Sequence, residues 1–147
     1  MPESVLQALN RALSLALERD PRTIVVGEDI EGPYGGAFGV TRDLSARFPG
    51  RVLNCPISEA TIAGLAAGCA LTGRPVVAEL MFSDFTALAF DALANTWSKI
   101  PTMFGRHVQL PVLVRTPTGA GRGYGPTHSQ SLQKHFIGLP NLSLYEL

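Results

Sequence analysis

The amino-acid sequence predicts an α/β fold, a layered domain with a mainly parallel β-sheet. Short β-branched runs alternate along the chain with helical stretches of about 10 to 15 residues, the pattern expected of βαβ units. The 147 residues suit one ordinary domain, and no internal repeat or low-complexity tract interrupts the alternation. Because ligands of such sheets gather at the carboxyl ends of the strands, the residues that follow each strand are the functional candidates.

The first predicted element is an amphipathic helix over residues 5–17, where apolar residues recur at spacings of one, three and four. Asp20-Pro21 ends it, because the residue before a proline disfavours the helical conformation. The β-branched run over 23–27 is typical of a buried parallel strand. The segment 31–40 that follows combines four glycines with two aromatic residues, so we expect another part of the molecule to pack on it.

The middle of the chain repeats the alternation twice. Thr41 is the predicted cap of a short helix through Phe48, and a second strand spans 51–55. Ser58 is the predicted N-cap of a helix over 59–71, rich in small residues. A third strand then covers 76–80.

The last third contains five predicted segments, placed by their caps, periodicity and glycine content. They are a long helix capped by Asp84 that reaches Trp97 or Lys99, a fourth strand over 110–115, a Gly/Pro loop over 117–127, a helix over 128–137 and a strand-like end over 142–147.

Composition narrows the function classes. Twelve Lys and Arg balance twelve Asp and Glu, and no run of like charges appears, which argues against a nucleic-acid partner or an acidic tail. The charged content of 16% lies below the roughly 25% of typical soluble domains. We therefore expect several faces of the domain to be covered by a partner.

The N-terminal segment and the cysteines point to a reduced, cytoplasmic setting. Charged and polar residues interrupt the first helix, so it is neither a signal peptide nor a membrane span. Cys55 and Cys69 lack CxxC spacing and a histidine cluster, which predicts reduced thiols that act as small core residues. No metal site is predicted in this chain.

Several common catalytic motifs are absent. The glycines of the segment 117–128 fit neither a P-loop nor a GxGxxG frame, so a closely packed or mobile loop is favoured over a phosphate cradle. GxSxG and HExxH do not occur, which leaves serine hydrolase and zinc protease chemistry without support.

Glu59 has two interpretations, and its position in the sequence does not distinguish them. It is either a first-turn carboxylate favoured by the helix dipole, worth about 0.3 to 1 kcal/mol, or a carboxylate held at the ligand-binding edge of the sheet beside a nitrogen heterocycle. In the same helix, Gly64 and Gly68 each cost about 1 kcal/mol relative to Ala. Close helix packing, within the domain or across a subunit boundary, would explain them, and we favour the subunit boundary.

Other candidate residues also have a structural alternative. Phe82, Phe85 and Phe90 suit the core, although Met81 and Phe85 lie just past a strand. His128 is either a helix-capping imidazole or a proton-transfer group in a site framed by loops. His107 and His135 lack supporting chemistry and are interpreted as structural or solvated.

Five strings taken in order resemble a known family. They are VGEDI, PYGGAFGVTRDL, NCPISEATIAGLAAG, RPVVAELMFSDF and GPTHSQS. Their order and spacing are similar to those of the β subunit of 2-oxo acid dehydrogenases, the thiamine-diphosphate enzymes of the pyruvate, branched-chain 2-oxo acid and acetoin dehydrogenase complexes. The resemblance covers nearly the whole chain, except KIPTMFGRH at 99–107 and the closing LSLYEL.

The resemblance implies a transketolase-like pyrimidine-binding domain, a three-layer α/β sandwich, over residues 1–147. Glu59, Gly64, Leu65 and Gly68 match its marker of a Glu, four residues, Gly, an apolar residue, two residues and Gly. By that match Glu59 would bond the aminopyrimidine ring and favour the imino tautomer that removes the thiazolium proton. Decarboxylation of a 2-oxo acid would follow.

The same resemblance implies further cofactor contacts. Phe85 would stack on the pyrimidine ring, with Met81 and Ile57 lining the pocket, and stacking of this kind contributes about 0.5 to 1.5 kcal/mol. Leu88 stands where some members carry Gln. His128 matches a histidine that assists proton transfer or acyl transfer to lipoamide.

Partners and assembly also follow from the resemblance. The diphosphate and magnesium motif, GDG with a later Asn, is absent from the sequence and belongs to the α subunit in heteromeric members. The implied partners are this α subunit with its magnesium, a second β subunit in a heterotetramer, and the lipoyl acyltransferase. A C-terminal transketolase-type domain is absent from this chain, which we expect to be half of a subunit and inactive alone.

The sequence is also compatible with two other functions. One is a transketolase-like or deoxyxylulose-phosphate-synthase-like enzyme domain, which shares the Glu marker, although PYGG and GPTHSQ favour the dehydrogenase. The other is a non-catalytic assembly module in which Glu59 is only a capping residue.

Overall fold

The computed structural model describes residues 2–105 and 107–147. It contains four short strands, β1 (Ile24–Gly27), β2 (Val52–Asn54), β3 (Val76–Glu79) and β4 (Val112–Arg115). They form one sheet in the order β2-β1-β3-β4, and every neighbouring pair is parallel. The four internal strands predicted from the sequence are all present, each within two residues of its expected start, and the parallel sheet is confirmed.

Four α-helices accompany the sheet: α1 (Val5–Arg19), α2 (Leu44–Arg47), α3 (Glu59–Leu71) and α4 (Ile100–Met103). A capping box begins α1, because Gln7 N–H donates to Ser4 Oγ at 3.3 Å while Ser4 N–H donates to Gln7 Oε1 at 2.9 Å. Asp20 ends this helix as predicted. The bounds predicted for α3 are confirmed at both ends.

The sheet is covered on both faces, which gives three layers. Side chains of a strand point alternately to opposite faces, so β1 contributes to two cores. Ile24 and Val26 pack in a cluster with the alanine-rich side of α3. Val25 packs in a second cluster with Leu13 and Leu17 of α1. The three-layer sandwich implied by the family resemblance is therefore what the chain forms.

The α3 helix lies close to its neighbours through alanines rather than large side chains. Ala63, Ala66, Ala67 and Ala70 are all buried in the same cluster. Trp97 Nε1 donates to the Ala63 carbonyl at 3.1 Å, which ties the following helical segment to α3.

The prediction of one long helix from Asp84 to Trp97 or Lys99 is wrong. The structure has a 3₁₀ helix over Ser83–Ala87 and a π-helix over Ala92–Trp97. Asp84 makes no capping bond, since its carboxylate accepts from Gln130 instead. Ser98 N–H donates to the Leu93 carbonyl, five residues back, as in a π-helix. The Ala94 carbonyl, which would accept this N–H in an α-helix, instead accepts from the Ser98 hydroxyl.

The C-terminal third also departs from the sequence prediction. Within 128–137 only Gln133–His135 form a 3₁₀ turn, because both backbone groups of Gln130 bond to Ser83 and Asp84 and cannot join a helix. The strand-like end over 142–147 is not a strand in the structure. Its side chains are largely exposed, and no described strand pairs with it beyond β4.

The short helix α2 begins later than predicted. Thr41 does not cap it, because the buried Thr41 hydroxyl donates to the Ile30 carbonyl at 2.7 Å. Asp43 occupies the cap position instead, with a left-handed backbone at φ 66°. Among the described residues, no helix has the length and apolar character needed to cross a membrane.

The layer beneath α1 provides a stability prediction. Leu17 is fully buried, so Leu17→Ala should lower the free energy of unfolding by about 2 to 5 kcal/mol, the usual cost of an internal cavity. Urea denaturation of the chain measures the effect. The matched control is Leu88→Ala, because Leu88 is exposed and should change stability by no more than about 0.5 kcal/mol. Equal losses in the two variants would contradict this packing arrangement.

Candidate functional site

The carboxyl ends of the four strands form one edge, along which the candidate residues begin. The last paired row across the sheet is Asn54, Gly27, Glu79 and Arg115. The candidates follow directly from these ends: Glu28 after β1, Ile57 and Glu59 after β2, Met81 and Phe85 after β3, and His128 in the connection after β4.

Two buried carboxyl groups lie at this edge. Glu59, the first residue of α3, is only 5% exposed, and Glu28 directly after β1 is also buried. Burial raises the pKa of Glu28, and the neighbouring charges of Glu59 and then Asp29 raise it further. Glu28 Oε2 has no hydrogen-bond partner among residues 2–105 and 107–147. Burial and the nearby negative charges therefore both disfavour the charged form of Glu28.

The start of α3 places Glu59 in the first turn and has no side-chain cap. Ser58 stands at the N-cap position as predicted, but its hydroxyl donates to Thr61 Oγ1 at 2.8 Å and makes no bond to the helix backbone. A carboxylate that only served the helix dipole would gain from facing water, whereas Glu59 is buried. Its burial is what the cofactor-binding interpretation requires.

A cluster of rings joins two of the predicted site segments. The Phe85 ring centroid lies 5.2 Å from that of His128, and Phe82 lies 5.3 Å from His128, both in edge-to-face contact. Thr127 Oγ1 is 3.0 Å from His128 Nδ1. The structure thus brings the predicted residues Phe85 and His128 together, although they are 43 positions apart in the sequence.

The ring cluster extends into both glycine-rich loops. Phe82 lies 6.0 Å from Phe38 and 5.6 Å from Tyr124, measured between ring centroids. The Arg122 guanidinium sits over the Phe38 ring at 4.3 Å, within the range of a cation–π contact. A cavity of about 220 Å³ opens between these groups, lined by Tyr34, Ala37, Phe38, Met81, Phe82 and Tyr124. Met81 therefore faces an aromatic cavity beside the Phe85–His128 contact.

The segment 31–40 is held against the sheet by Glu79. This carboxylate is 1% exposed, and Arg115 Nη1 lies 2.8 Å from its Oε2 in an ion pair without the alignment of a directed hydrogen bond. Burial raises the pKa of Glu79, and Arg115 partly offsets that effect. A Cβ at Gly36, whose φ is +73°, would collide with Glu79 Oε1, so glycine is needed here. The expected packing on this segment is confirmed.

Ile57 is separate from these groups. It is 80% exposed, so it does not line an enclosed pocket within the described chain. Gly64 and Gly68 are exposed as well, and no described atom lies within 4 Å of where a Cβ would sit. Packing inside the domain therefore does not explain these two glycines.

Four residues of the site were not singled out from the sequence as site residues. They are Phe38, Glu79, Asp84 and Tyr124. Phe38 and Tyr124 carried a usable signal, because each is an aromatic residue inside a glycine-rich loop that follows a strand. Glu79 carried a signal of another kind, since it is a charged residue at the end of an otherwise apolar strand.

The cysteines and the other two histidines lie outside the groups of residues described above. Cys55 and Cys69 are free and half-buried against the α3 core, and burial raises the pKa of the Cys55 thiol. His107 and His135 are exposed. In the part of the chain that the structure describes, no three His, Cys, Asp or Glu side chains are grouped to hold a metal ion.

The raised pKa of Glu28 leads to a pH prediction. The folded state keeps the Glu28 proton to higher pH than the unfolded chain, whose value is near 4.5. Its stabilising contribution is therefore complete below pH 4.5 and is lost as pH rises through the folded pKa. The free energy of unfolding of the wild type should fall relative to Glu28→Gln as pH rises from about 4 to about 7, measured by urea denaturation. Glu146→Gln, at an exposed carboxylate, is the control, and a wild-type curve parallel to that of Glu28→Gln would contradict the prediction.

Comparisons with known proteins agree with this architecture. The family profile described as the transketolase pyrimidine binding domain matches residues 3–145. The acetoin:2,6-dichlorophenolindophenol oxidoreductase subunit beta of Bacillus subtilis (strain 168) is 40% identical over 151 aligned positions, covering 95% of this chain and 44% of that protein. The pyruvate dehydrogenase E1 component subunit beta of Staurastrum punctulatum is 38% identical, with 98% and 44% covered.

Similarity to a solved structure also supports a transketolase-like fold. The chain matches one described as a split gene transketolase, inactive beta4 tetramer, with a TM-score of 0.67 and 27% identity, covering 91% of this chain and 39% of that one. The chain spans less than half the length of the curated relatives it matches. With the parallel sheet, the buried Glu59 at its carboxyl edge and a profile match over residues 3–145, this chain belongs to the transketolase pyrimidine-binding domain family.

Proposed function

We propose that this chain forms the pyrimidine-side half of the active site in a thiamine-diphosphate-dependent 2-oxo acid dehydrogenase, as a domain of its β subunit. The reaction is oxidative decarboxylation of a 2-oxo acid followed by acyl transfer to lipoamide. The observation that carries the proposal is the buried carboxyl group of Glu59, which begins α3 at the carboxyl edge of the sheet beside Glu28. The similarity to β subunits of acetoin and pyruvate enzymes supports the same class.

The described residues fit the pyrimidine end of thiamine diphosphate. Glu59 offers a buried carboxyl group to a ring nitrogen, and Phe85 is a half-buried aromatic side chain on which a heterocycle could stack. Met81 would line the pocket from the aromatic cavity, and Ile57 from the exposed side. When bound, the cofactor supplies the electron sink that amino-acid side chains lack.

The chemistry assigned to this chain is proton handling. Glu59 would hold and exchange a proton at the pyrimidine nitrogen, a task for which a buried carboxyl group beside a heterocycle is suited. Glu28 supports this role, because burial and the charge of Glu59 raise its pKa and so disfavour a second negative charge near Glu59. His128, in contact with Phe85, would move a proton during turnover or acyl transfer.

The site requires a partner. The diphosphate and magnesium motif is absent from this sequence, so these groups belong to an α subunit in our proposal. The exposed Ile57 and the open Gly64 and Gly68 of α3 are surfaces that a neighbouring subunit would cover. We further propose a second β subunit, a heterotetramer, and a lipoyl acyltransferase that accepts the acyl group.

Two other functions have some support. A transketolase-like domain is consistent with the structural match to a split gene transketolase. A non-catalytic assembly module is consistent with the open glycines of α3, and that matched structure is itself described as an inactive tetramer. The dehydrogenase is favoured over the assembly module because that module leaves the burial of Glu59 unexplained. It is favoured over the transketolase-like domain because the similar β subunits are 38% and 40% identical to this chain, whereas the matched transketolase is 27% identical.

Glu59→Gln in the assembled enzyme separates the catalytic functions from the assembly module. Glutamine keeps the shape but cannot exchange the proton, so turnover should fall by about 100-fold or more. The measurement is reduction of 2,6-dichlorophenolindophenol with pyruvate, 2-oxoisovalerate or acetoin, in the presence of the α subunit, thiamine diphosphate and magnesium. Glu18→Gln is the control, because Glu18 is an exposed carboxylate paired with Arg47 on the other side of the sheet from α3. Preserved turnover in Glu59→Gln would leave only the assembly function.

The same assay tests the need for a partner. The 147-residue chain alone should show no thiamine-dependent turnover, because it would hold only half of a shared site. A rate near that of the assembled enzyme would contradict the shared site.

A further inference from the structure

Two separate segments of the candidate site are tied together by side-chain bonds. The Ser83 hydroxyl donates to the Gln130 carbonyl at 2.5 Å. Asp84 Oδ1 accepts twice from Gln130, from its backbone N–H at 3.2 Å and from its side-chain Nε2 at 2.9 Å. The segment that carries Phe85 is thus fastened to the segment that carries His128.

Burial of the Asp84 carboxylate has a free-energy cost. It is only 7% exposed, and its Oδ2 has no hydrogen-bond partner in the described ranges. Burying a carboxylate costs free energy unless its hydrogen bonds compensate. It caps no helix, since the 3₁₀ turn over Ser83–Ala87 has no side-chain capping bond. Its observed bonds all serve Gln130, which lies two residues from His128.

Further contacts hold the backbone around His128 and the turn after β3 against the loop after β4. Ser83 N–H donates to the Pro117 carbonyl at 2.8 Å. Ser129 Oγ donates to the Gly119 carbonyl at 3.4 Å, and a Cβ at Gly119 would collide with the His128 carbonyl. The backbone around His128 is therefore held between the loop after β4 and the turn after β3. The three glycines between Gly119 and His128, at 121, 123 and 125, have positive φ and open space where a Cβ would sit.

We propose that Asp84 is a positioning residue for His128, and that it acts by clamping Gln130. The bonds set the edge-to-face contact of His128 with Phe82 and Phe85, at 5.3 Å and 5.2 Å. The role in turnover rests on the proposed function. The clamp itself is a property of this chain and can be tested without it.

The chain offers a graded set of variants. Asp84→Ala removes the acceptor of both Gln130 bonds. Asp84→Asn keeps an oxygen acceptor, and both bonds go to a single oxygen, so it should retain the clamp. Gln130→Ala removes the side-chain bond at an exposed position, where misfolding is not expected. Gln133→Ala is the matched control, because its side chain bonds the exposed Glu146.

The first readout is the nuclear Overhauser effect between the ring protons of His128 and Phe85 in the full chain. Asp84→Ala should weaken it by more than half, Gln130→Ala should weaken it less, and Asp84→Asn and Gln133→Ala should leave it unchanged. An undiminished effect in both Asp84→Ala and Gln130→Ala would overturn the clamp. If Asp84→Ala does not fold, Gln130→Ala alone decides in the same way.

The second readout is turnover in the assembled enzyme. Displacing His128 should cost about tenfold to a hundredfold, so Asp84→Ala should lower kcat by that factor and Asp84→Asn by less than threefold. In a His128→Ala background, Asp84→Ala should cost less than a further twofold, because Asp84 acts through His128. Additive losses would overturn the positioning role.

The two proposals fail in distinguishable ways. If the wild-type assembly has no thiamine-dependent turnover, the proposed function fails, while the ring contact still decides the clamp. If turnover is present and the ring contact survives Asp84→Ala and Gln130→Ala, the clamp fails alone.

Discussion

The parallel pairing of β1 with β2 and β3 is the constraint on which the rest of the molecule depends. In-register pairing places Asn54, Gly27, Glu79 and Arg115 in one row at the end of the sheet. Every connection that leaves this row begins at the same edge, so residues distant in sequence become neighbours. The row also explains Gly27, because a Cβ there would lie 2.7 Å from the Glu79 carbonyl oxygen. Site geometry therefore follows from sheet register before any side-chain chemistry is considered.

Buried carboxyl groups and aromatic rings both lie along this edge, and Phe38 brings a ring to it from the connection after β1. Buried carboxyl groups follow the strands β1 and β2, at Glu28 and Glu59. Rings follow β3 and β4, where Phe82 and Phe85 contact His128. In the proposed function, an acidic group that exchanges a proton and a ring surface that supports a heterocycle would be complementary parts of one cofactor pocket. Ile57 is 80% exposed, and in the proposed function a neighbouring subunit would cover it.

The local pattern predicted the elements whose stability comes from their own residues. The helix α3 and the strands were placed correctly because small-residue helices and β-branched runs carry strong short-range signals. The helices expected after Asp84 and after His128 were wrong for one shared reason. Ser83 and Asp84 bond to Gln130 across 47 and 46 positions of sequence, which local periodicity does not record. Residues 142–147 likewise have strand composition but no strand beside them.

By itself, the amino-acid sequence determined the α/β class, the position of Glu59 at the start of a helix, and a family resemblance over most of the chain, because these depend on short-range patterns. Only the tertiary structure decided that Glu28 and Glu59 are both buried at the sheet edge, that Phe85 meets His128, and that Glu79, paired with Arg115, packs against the glycine-rich segment. Those pairs are made across the sheet edge. Burial, close approach and charge coupling depend on distances in space, and these arise only when the strands pair in register.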